Sequence, residues 1–488
     1  MLNDRLFAAA RRTSGWARLP TIAADAMIAT SHPLATRAGA RALEAGGNAV
    51  DAALAAAAML TLCEPPHNGV GGDAFALLWW DGALQGLNGS GRAPAVIDAP
   101  TVDQAGPRSV TVPGAVRAWA DLAERFGRLG LDAALAPAID AAQRGVAATA
   151  RIAEHWRGAA SAPWPAPRPG ERYTLPGLDG TLRAIAERGP DAVYAGSVAS
   201  AIAERCWLSE EDLAAHRSEW VEPLRRTYRG VEVCELPPNS QGAAALVALA
   251  VADGLDGGLH FDVEAAKVAL DWAAGAIGDA PVTLPDAGAL RARIRPDAAL
   301  DARVWPGGGT TFLCAVDADR NAISLIQSLY EGFGSGVLVG DTGIALHSRG
   351  ACFTEEEGHP NQLAPGRRPF HTLMPGMLLE GGRLLGPFGV MGAAMQAQAH
   401  FQVVRRVVDE GLDPQAALDA ARFRATGGRA VAVEPGLAGE VDNLRARGHD
   451  VTVADVPHAF GVGQMILVEG DALVGGSDGR ADGQAAGL

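Results

Sequence analysis

The chain has 488 residues, 48% of them hydrophobic, and a net charge of −15 from 56 acidic residues against 41 lysines and arginines. That length supports a large core and two to three domain-sized units, and the negative charge argues against nucleic acid and anionic membrane as partners. The five cysteines, Cys63, Cys206, Cys234, Cys314 and Cys352, are odd in number, widely spaced and without a CxxC pair, so neither a disulfide framework nor a metal site is expected.

Residues 1 to 26 read as a polar, Arg-rich lead-in without the apolar run of a signal peptide. The Ala-rich stretch from Ala49 to Leu62 is too short to span a bilayer and holds Asp51; the protein is expected to be soluble and cytoplasmic. Met27 to Thr30 predicts a short strand. Ser31-His32-Pro33 opens a helix that Gly46-Gly47 ends, and Asn48 caps the next one. A Gly-rich loop, Pro65 to Asp73, leads into a strand through Trp80 that Asp81-Gly82 turns back. Helical spacing runs from 115 to 160, and prolines 163, 165, 167 and 169 mark a surface loop. Ser209-Glu210-Glu211-Asp212 starts a helix, Arg229 to Leu236 is a strand, and Pro237 to Gly242 leads into a long Ala-rich helix. The Pro- and Gly-rich residues 276 to 309 are expected to be mobile. Strands are expected near 312–317, 321–327 and 373–380, with helices near 393–410 and 414–421. Antiparallel hairpins alternating with helices give an α+β layered fold.

Chemistry concentrates at Gly309-Thr310-Thr311, which opens an alternating strand: Phe312, Cys314 and Val316 against Leu313 and Ala315. If the Gly309–Thr310 bond breaks, Thr310 gains a free α-amine beside its own hydroxyl. That amine, with an ordinary pKa near 8, can serve as base for the hydroxyl. A Thr-Thr pair placed only for strand propensity is the plainer alternative. Other markers occur in order along the chain: Ala45-Gly46-Gly47-Asn48-Ala49-Val50-Asp51, Gly69-Val70-Gly71-Gly72, Val112-Pro113-Gly114-Ala115, Glu211-Asp212-Leu213, Glu222-Pro223-Leu224, Leu236 to Gly242, and Gly475 to Arg480.

With these residues the chain resembles the gamma-glutamyltransferase family of N-terminal-nucleophile hydrolases over roughly residues 27 to 483, closer to its oxamate amidohydrolase-like branch than to true transpeptidases. The resemblance implies a four-layer αββα sandwich. It also implies self-cleavage into a large subunit, 1–309, and a small one, 310–488, which stay interlocked and suit an (αβ)2 assembly. Since no metal-ligand cluster and no nucleotide-binding signature are visible in the sequence, no metal and no cofactor are expected. Carried over, Thr310 is the nucleophile, with Gly309 on the other side of the cleaved bond. Ser328 is a hydroxyl that hydrogen-bonds the nucleophile, and the Gly392-Ala393 pair forms the oxyanion hole. Each backbone donor there contributes about 3 kcal/mol or more, and Ala393 is expected at negative φ.

The substrate pocket departs from the family. Ser90 holds the place of the usual carboxylate-binding arginine, and Arg92 follows two residues later. Cys352 replaces the ammonium-binding aspartate, Arg349 adds a positive charge, His371-Thr372 replaces a serine pair, and Tyr330 replaces an asparagine. A pocket that keeps cations and loses its carboxylate favours a small substrate with a carboxylate near the scissile carbonyl and no obligatory amine. Arg349 and Arg92 are the expected carboxylate partners, with Ser90, Tyr330, His371 and Thr372 lining the pocket. Asn68 and Asp73 either line it or hold their turn; Asn321 is read as a turn residue. A gamma-glutamyl hydrolase with Glu355 or Glu356 replacing the lost aspartate, and an unprocessed carboxylate-binding relative, are the alternatives.

Overall fold

The structure, a computed structural model, describes residues 18–97, 101–255, 257–305 and 308–488. The first seventeen residues of the expected lead-in lie outside these. Two antiparallel seven-stranded sheets pack face to face, with helices on both outer sides, the αββα sandwich expected.

Their strands, in chain order, are β1 (Thr21–Ala23), β2 (Met27–Thr30), β3 (Asp73–Trp80), β4 (Ala83–Asn88), β5 (Glu219–Val221), β6 (Leu224–Tyr228), β7 (Val231–Glu235), β8 (Gly309–Val316), β9 (Ala322–Tyr330), β10 (Gly376–Glu380), β11 (Arg383–Met391), β12 (Val462–Glu469), β13 (Ala472–Ser477) and β14 (Gln484–Gly487). One sheet runs β14-β2-β8-β9-β3-β4-β5, the other β1-β13-β12-β11-β10-β7-β6. The period-two pattern decides which face each residue takes. Phe312, Cys314 and Val316 of β8 point between the sheets, with Phe75, Ile326, Met377 and Ile466. Leu313 and Ala315 point outward to the first helical layer.

That layer includes α1 (Pro33–Glu44), α2 (Ala49–Cys63), α3 (Ala115–Phe126), α4 (Leu131–Arg144) and α5 (Ala150–Gly158). The second includes α6 (Gly242–Ala252), α7 (Leu259–Ala276) and α8 (Met395–Val408). Every residue of α2 and of α6 is buried. Their Ala-rich sequences are therefore a packing requirement, because small side chains let a central helix approach on all sides. Asn48 caps α2 as expected: its Oδ1 accepts from Val50 and Asp51 N–H while Asp51 closes the reciprocal bond. The helical run read over 115–160 is three helices, α3 to α5, broken at Gly127–Gly130 and near Gly145.

The segment read as mobile, 276 to 309, is tied down over much of its length. Lys267, the single lysine, donates from α7 to the Leu300 carbonyl, and Glu264 accepts from Leu300 N–H. Ala302 pairs with Gly428, and Asp279 pairs with Arg92.

Candidate active site

The first residues of β8 meet the last of β9 in an irregular register. Gly309 pairs with Tyr330 and Thr311 with Gln327, so Ser328 and Leu329 together face the single Thr310. Such a bulge re-aims side chains that a regular ladder would turn away. Here it brings Ser328 Oγ to 2.6 Å from the Gly309 carbonyl, to which it donates. The hydroxyl in turn accepts from Tyr330 N–H at 2.7 Å and from Arg349 Nη2 at 3.2 Å. Thr310 is buried, and its Oγ1 accepts from Gln396 Nε2 at 3.3 Å. The intact Gly309–Thr310 bond therefore has a hydroxyl on one side and a polarised carbonyl on the other.

Arg349 sits in a buried turn, Arg349–Cys352. Its guanidinium is fully buried, donates to Thr372 Oγ1 at 3.0 Å and lies over the Tyr330 ring at 4.4 Å. Nε has no hydrogen-bond partner, and no carboxylate among the described residues pairs with it. The Cys352 thiol, raised by burial, is hydrogen-bonded among Tyr330, Arg349 and Trp305. Trp305 stacks near Phe370 at 4.7 Å and so covers this recess from the segment before the scissile bond.

Gly392-Ala393 lies where the oxyanion hole was expected, between β11 and α8 and against Gly308. Neither of its N–H groups donates to a protein oxygen among the described residues. Ala393 departs from expectation: its φ is +53°, a left-handed conformation that costs a non-glycine residue about 1 kcal/mol or more. The turn is held by Gln241, whose Nε2 donates to the Thr372 and Ala393 carbonyls.

Three expected pocket residues are committed elsewhere. Arg92 is half-exposed and paired with Glu219 at 2.8 Å and Asp279 at 3.0 Å; it does not line the Thr310 cavity. Ser90 bonds Asn88 and Asn239 in a buried amide network. His371 accepts from Leu373 N–H at Nδ1, so its Nε2 carries the proton and donates to Asp73 at 3.1 Å. Burial, with the nearby Arg349 charge, lowers His371 to about 3, which leaves it neutral and structural. Asp73 also accepts from Gly91 and Gly114 N–H, so it holds loops. Burial alone would raise its carboxyl; His347, the His371 bond and Arg349 outweigh that and bring it to about 2. Asn68 donates to the Ala57 carbonyl, and Asn321 is a turn residue as read.

Sequence reading missed Gln396, Gln241 and a cavity of about 440 Å³ at the scissile bond. Gly308, Gly309 and Thr310 line it together with His67, Arg151, Glu154, His155 and His458. Gln241 stands inside a quoted marker, but nothing in the spacing linked α5 to Thr310. Among the described residues the fold also gathers a set of metal-type donors that spacing did not reveal: His260, Glu264 and His449, all buried. Lys267 Nζ already supplies a cation there, 3.2 Å from His449 and 3.7 Å from Glu264.

A sequence profile of the Gamma-glutamyltranspeptidase family matches residues 35–488. The chain is 36% identical to the glutathione hydrolase-like YwrD proenzyme of Bacillus subtilis (strain 168), over 95% of this chain and 98% of that protein. It is 33% identical to the oxamate amidohydrolase proenzyme of Klebsiella pneumoniae, over 96% and 99%. The crystal structure of cephalosporin acylase from Bacillus halodurans superposes with a TM-score of 0.92 at 41% identity, covering 99% of each chain.

Proposed function

The chain belongs to the Gamma-glutamyltranspeptidase family, whose members among its relatives are named as hydrolases and acylases, and on that premise we propose that it is a self-cleaving threonine amidohydrolase for a small acyl amide with a carboxylate beside the scissile carbonyl. Arg349 carries the reading: a fully buried guanidinium two hydrogen bonds from the Gly309 carbonyl, with no carboxylate paired to it among the described residues. A buried cation with no carboxylate in direct contact is costly; Asp73 acts on it only at a distance, and a substrate carboxylate would satisfy it in a fork geometry.

In the mature enzyme the Thr310 amine takes the hydroxyl proton as Oγ1 attacks the substrate carbonyl. The oxyanion meets the Gly392-Ala393 N–H groups, the amine leaves with a proton, and water hydrolyses the ester on Thr310. Self-cleavage uses the same oxygen: Oγ1 attacks the Gly309 carbonyl, polarised by Ser328, and an ester replaces the peptide bond until water opens it. The cut leaves Gly309 as a new C-terminus, and displacement of Trp305 then opens the Arg349 recess.

The relatives' names span glutathione hydrolysis, oxamate hydrolysis and cephalosporin deacylation. The gamma-glutamyl reading is disfavoured by Cys352, which leaves an ammonium without a carboxylate beside Arg349. Glu355 is taken up by Val102 N–H, while Glu356 is exposed at the rim of a cavity that Trp305, Tyr330 and Ala351 also line. Among the described residues it is the one carboxylate there that the gamma-glutamyl alternative could use. The test compares oxamate-type amides with gamma-glutamyl-p-nitroanilide on the wild-type chain and on Thr310→Ala. Turnover of oxamate-type amides that vanishes in Thr310→Ala is expected; faster turnover of the gamma-glutamyl anilide would overturn the substrate class.

A further inference from the structure

Self-cleavage poses a proton problem that mature catalysis does not. Before the bond breaks, the Thr310 nitrogen is an amide and cannot act as base. Ser328 spends its proton on the Gly309 carbonyl, and Gln396 can only donate to Oγ1. The geometry points to His67 as the group that carries the proton from Thr310 Oγ1 to the Thr310 nitrogen during self-cleavage. The inference rests on the self-cleaving reading above.

Four observations place it there. His67 lines the same cavity as Gly309 and Thr310. A Cβ on Gly309 would overlap His67 Nδ1, so the imidazole lies directly against the residue that supplies the scissile carbonyl. That Nδ1 is buried and has no hydrogen-bond partner. The His67 backbone is fixed to the bulge itself, because its carbonyl accepts from Leu329 N–H at 3.0 Å, opposite Thr310.

The other ring nitrogen explains how the group could both take and give a proton. His67 Nε2 lies 2.6 Å from His155 Nδ1 on α5. With Nε2–H donating to His155, Nδ1 presents a lone pair beside Gly309. Burial, then the neighbouring His155, Arg151 and His458, push the imidazole well below its ordinary range. Other titratable groups on the surrounding elements are Glu154 of α5, Glu331 after β9, and Glu64 on the loop before His67.

The step balances without a co-reactant. The Oγ1–H bond breaks and an Nδ1–H bond forms as Oγ1 bonds to the Gly309 carbon. The tetrahedral oxyanion keeps the Ser328 hydrogen bond. The carbon–nitrogen bond then breaks, and Nδ1–H passes to the Thr310 nitrogen, leaving an ester and a free amine. Water completes the cleavage.

The test follows cleavage of full-length chains made by cell-free synthesis, by denaturing mass spectrometry over time and across pH 5 to 9. Wild type is expected to cleave. His67→Ala and His67→Gln are expected to slow about 100-fold or more, the scale of a positioned acid–base group. Added imidazole should restore His67→Ala at least about tenfold and leave the isosteric His67→Gln slow. Cleavage of either variant within about threefold of wild type overturns the assignment. So does equal slowing of both with no imidazole rescue and an unchanged pH profile, which makes His67 a packing residue. A wild-type chain that never cleaves removes the self-cleaving reading and His67 with it.

Discussion

The sequence offered Arg349 first and Arg92 beside it as carboxylate partners, and their surroundings separate them. Arg92 is half-exposed between Glu219 and Asp279, whereas Arg349 is enclosed by Tyr330, Thr372 and Ser328. Arg349→Lys is expected to lower kcat/KM for a carboxylate-bearing amide roughly 100-fold, because a point charge replaces the planar fork. Arg92→Lys should stay within about threefold. Equal effects of the two would contradict the assignment, and steady-state kinetics on both variants decide it. Thr310 stood out at its Gly-Thr-Thr junction, whereas Ser328 came only with the family resemblance, because the bulge that sets it beside the Gly309 carbonyl has no local sign. His371, offered as a pocket residue with a structural role as the plainer reading, takes the structural one; its partner, Asp73, lies 298 positions away, and no local pattern announces such a pair.

The strands and the capped helices followed from alternation, glycine stops and Asn48. The bulge opposite Thr310 and the positive φ at Ala393 did not, since each is imposed by what packs around it. Loop junctions carry similar hidden constraints. Gly114 begins α3, donates to Asp73 Oδ1 at 3.0 Å, and leaves no room for a Cβ, which would run into the Gly89 carbonyl. Gly114→Ala is therefore expected to destabilise the fold by about 1–3 kcal/mol. It should also loosen the Asp73–His371 pair beneath Arg349. Denaturant unfolding checks the first effect; a midpoint equal to wild type would show that the loop yields freely.

At the scale of the molecule, the proposed cut at Gly309 leaves pieces that cannot drift apart. β2 of the large piece lies between β14 and β8 of the small one, and β9 of the small piece pairs with β3 of the large. In the other sheet β10 pairs with β7. Native size-exclusion should keep both pieces in one peak.

Acid should weaken this body early. Burial lowers His32 and His216 to about 4, and His155, His371 and His449 to about 3. The unfolded chain protonates such groups near pH 6.5, the folded one only below about 4. The unfolded state therefore binds more protons across that interval, and stability falls as pH drops through it. Glu64, pushed to about 7, and the raised Glu235 and Glu264 carboxyls act in the opposite sense, with fewer protons. The urea midpoint should fall between pH 7 and 5; a rise would reverse the balance.

The most direct measurement is the intact mass of the freshly purified chain under denaturing conditions. Two species matching residues 1–309 and 310–488, converted to one full-length species by Thr310→Ala, are predicted. A wild-type chain that remains a single full-length species on long incubation would contradict the account, because Thr310 would never gain its amine.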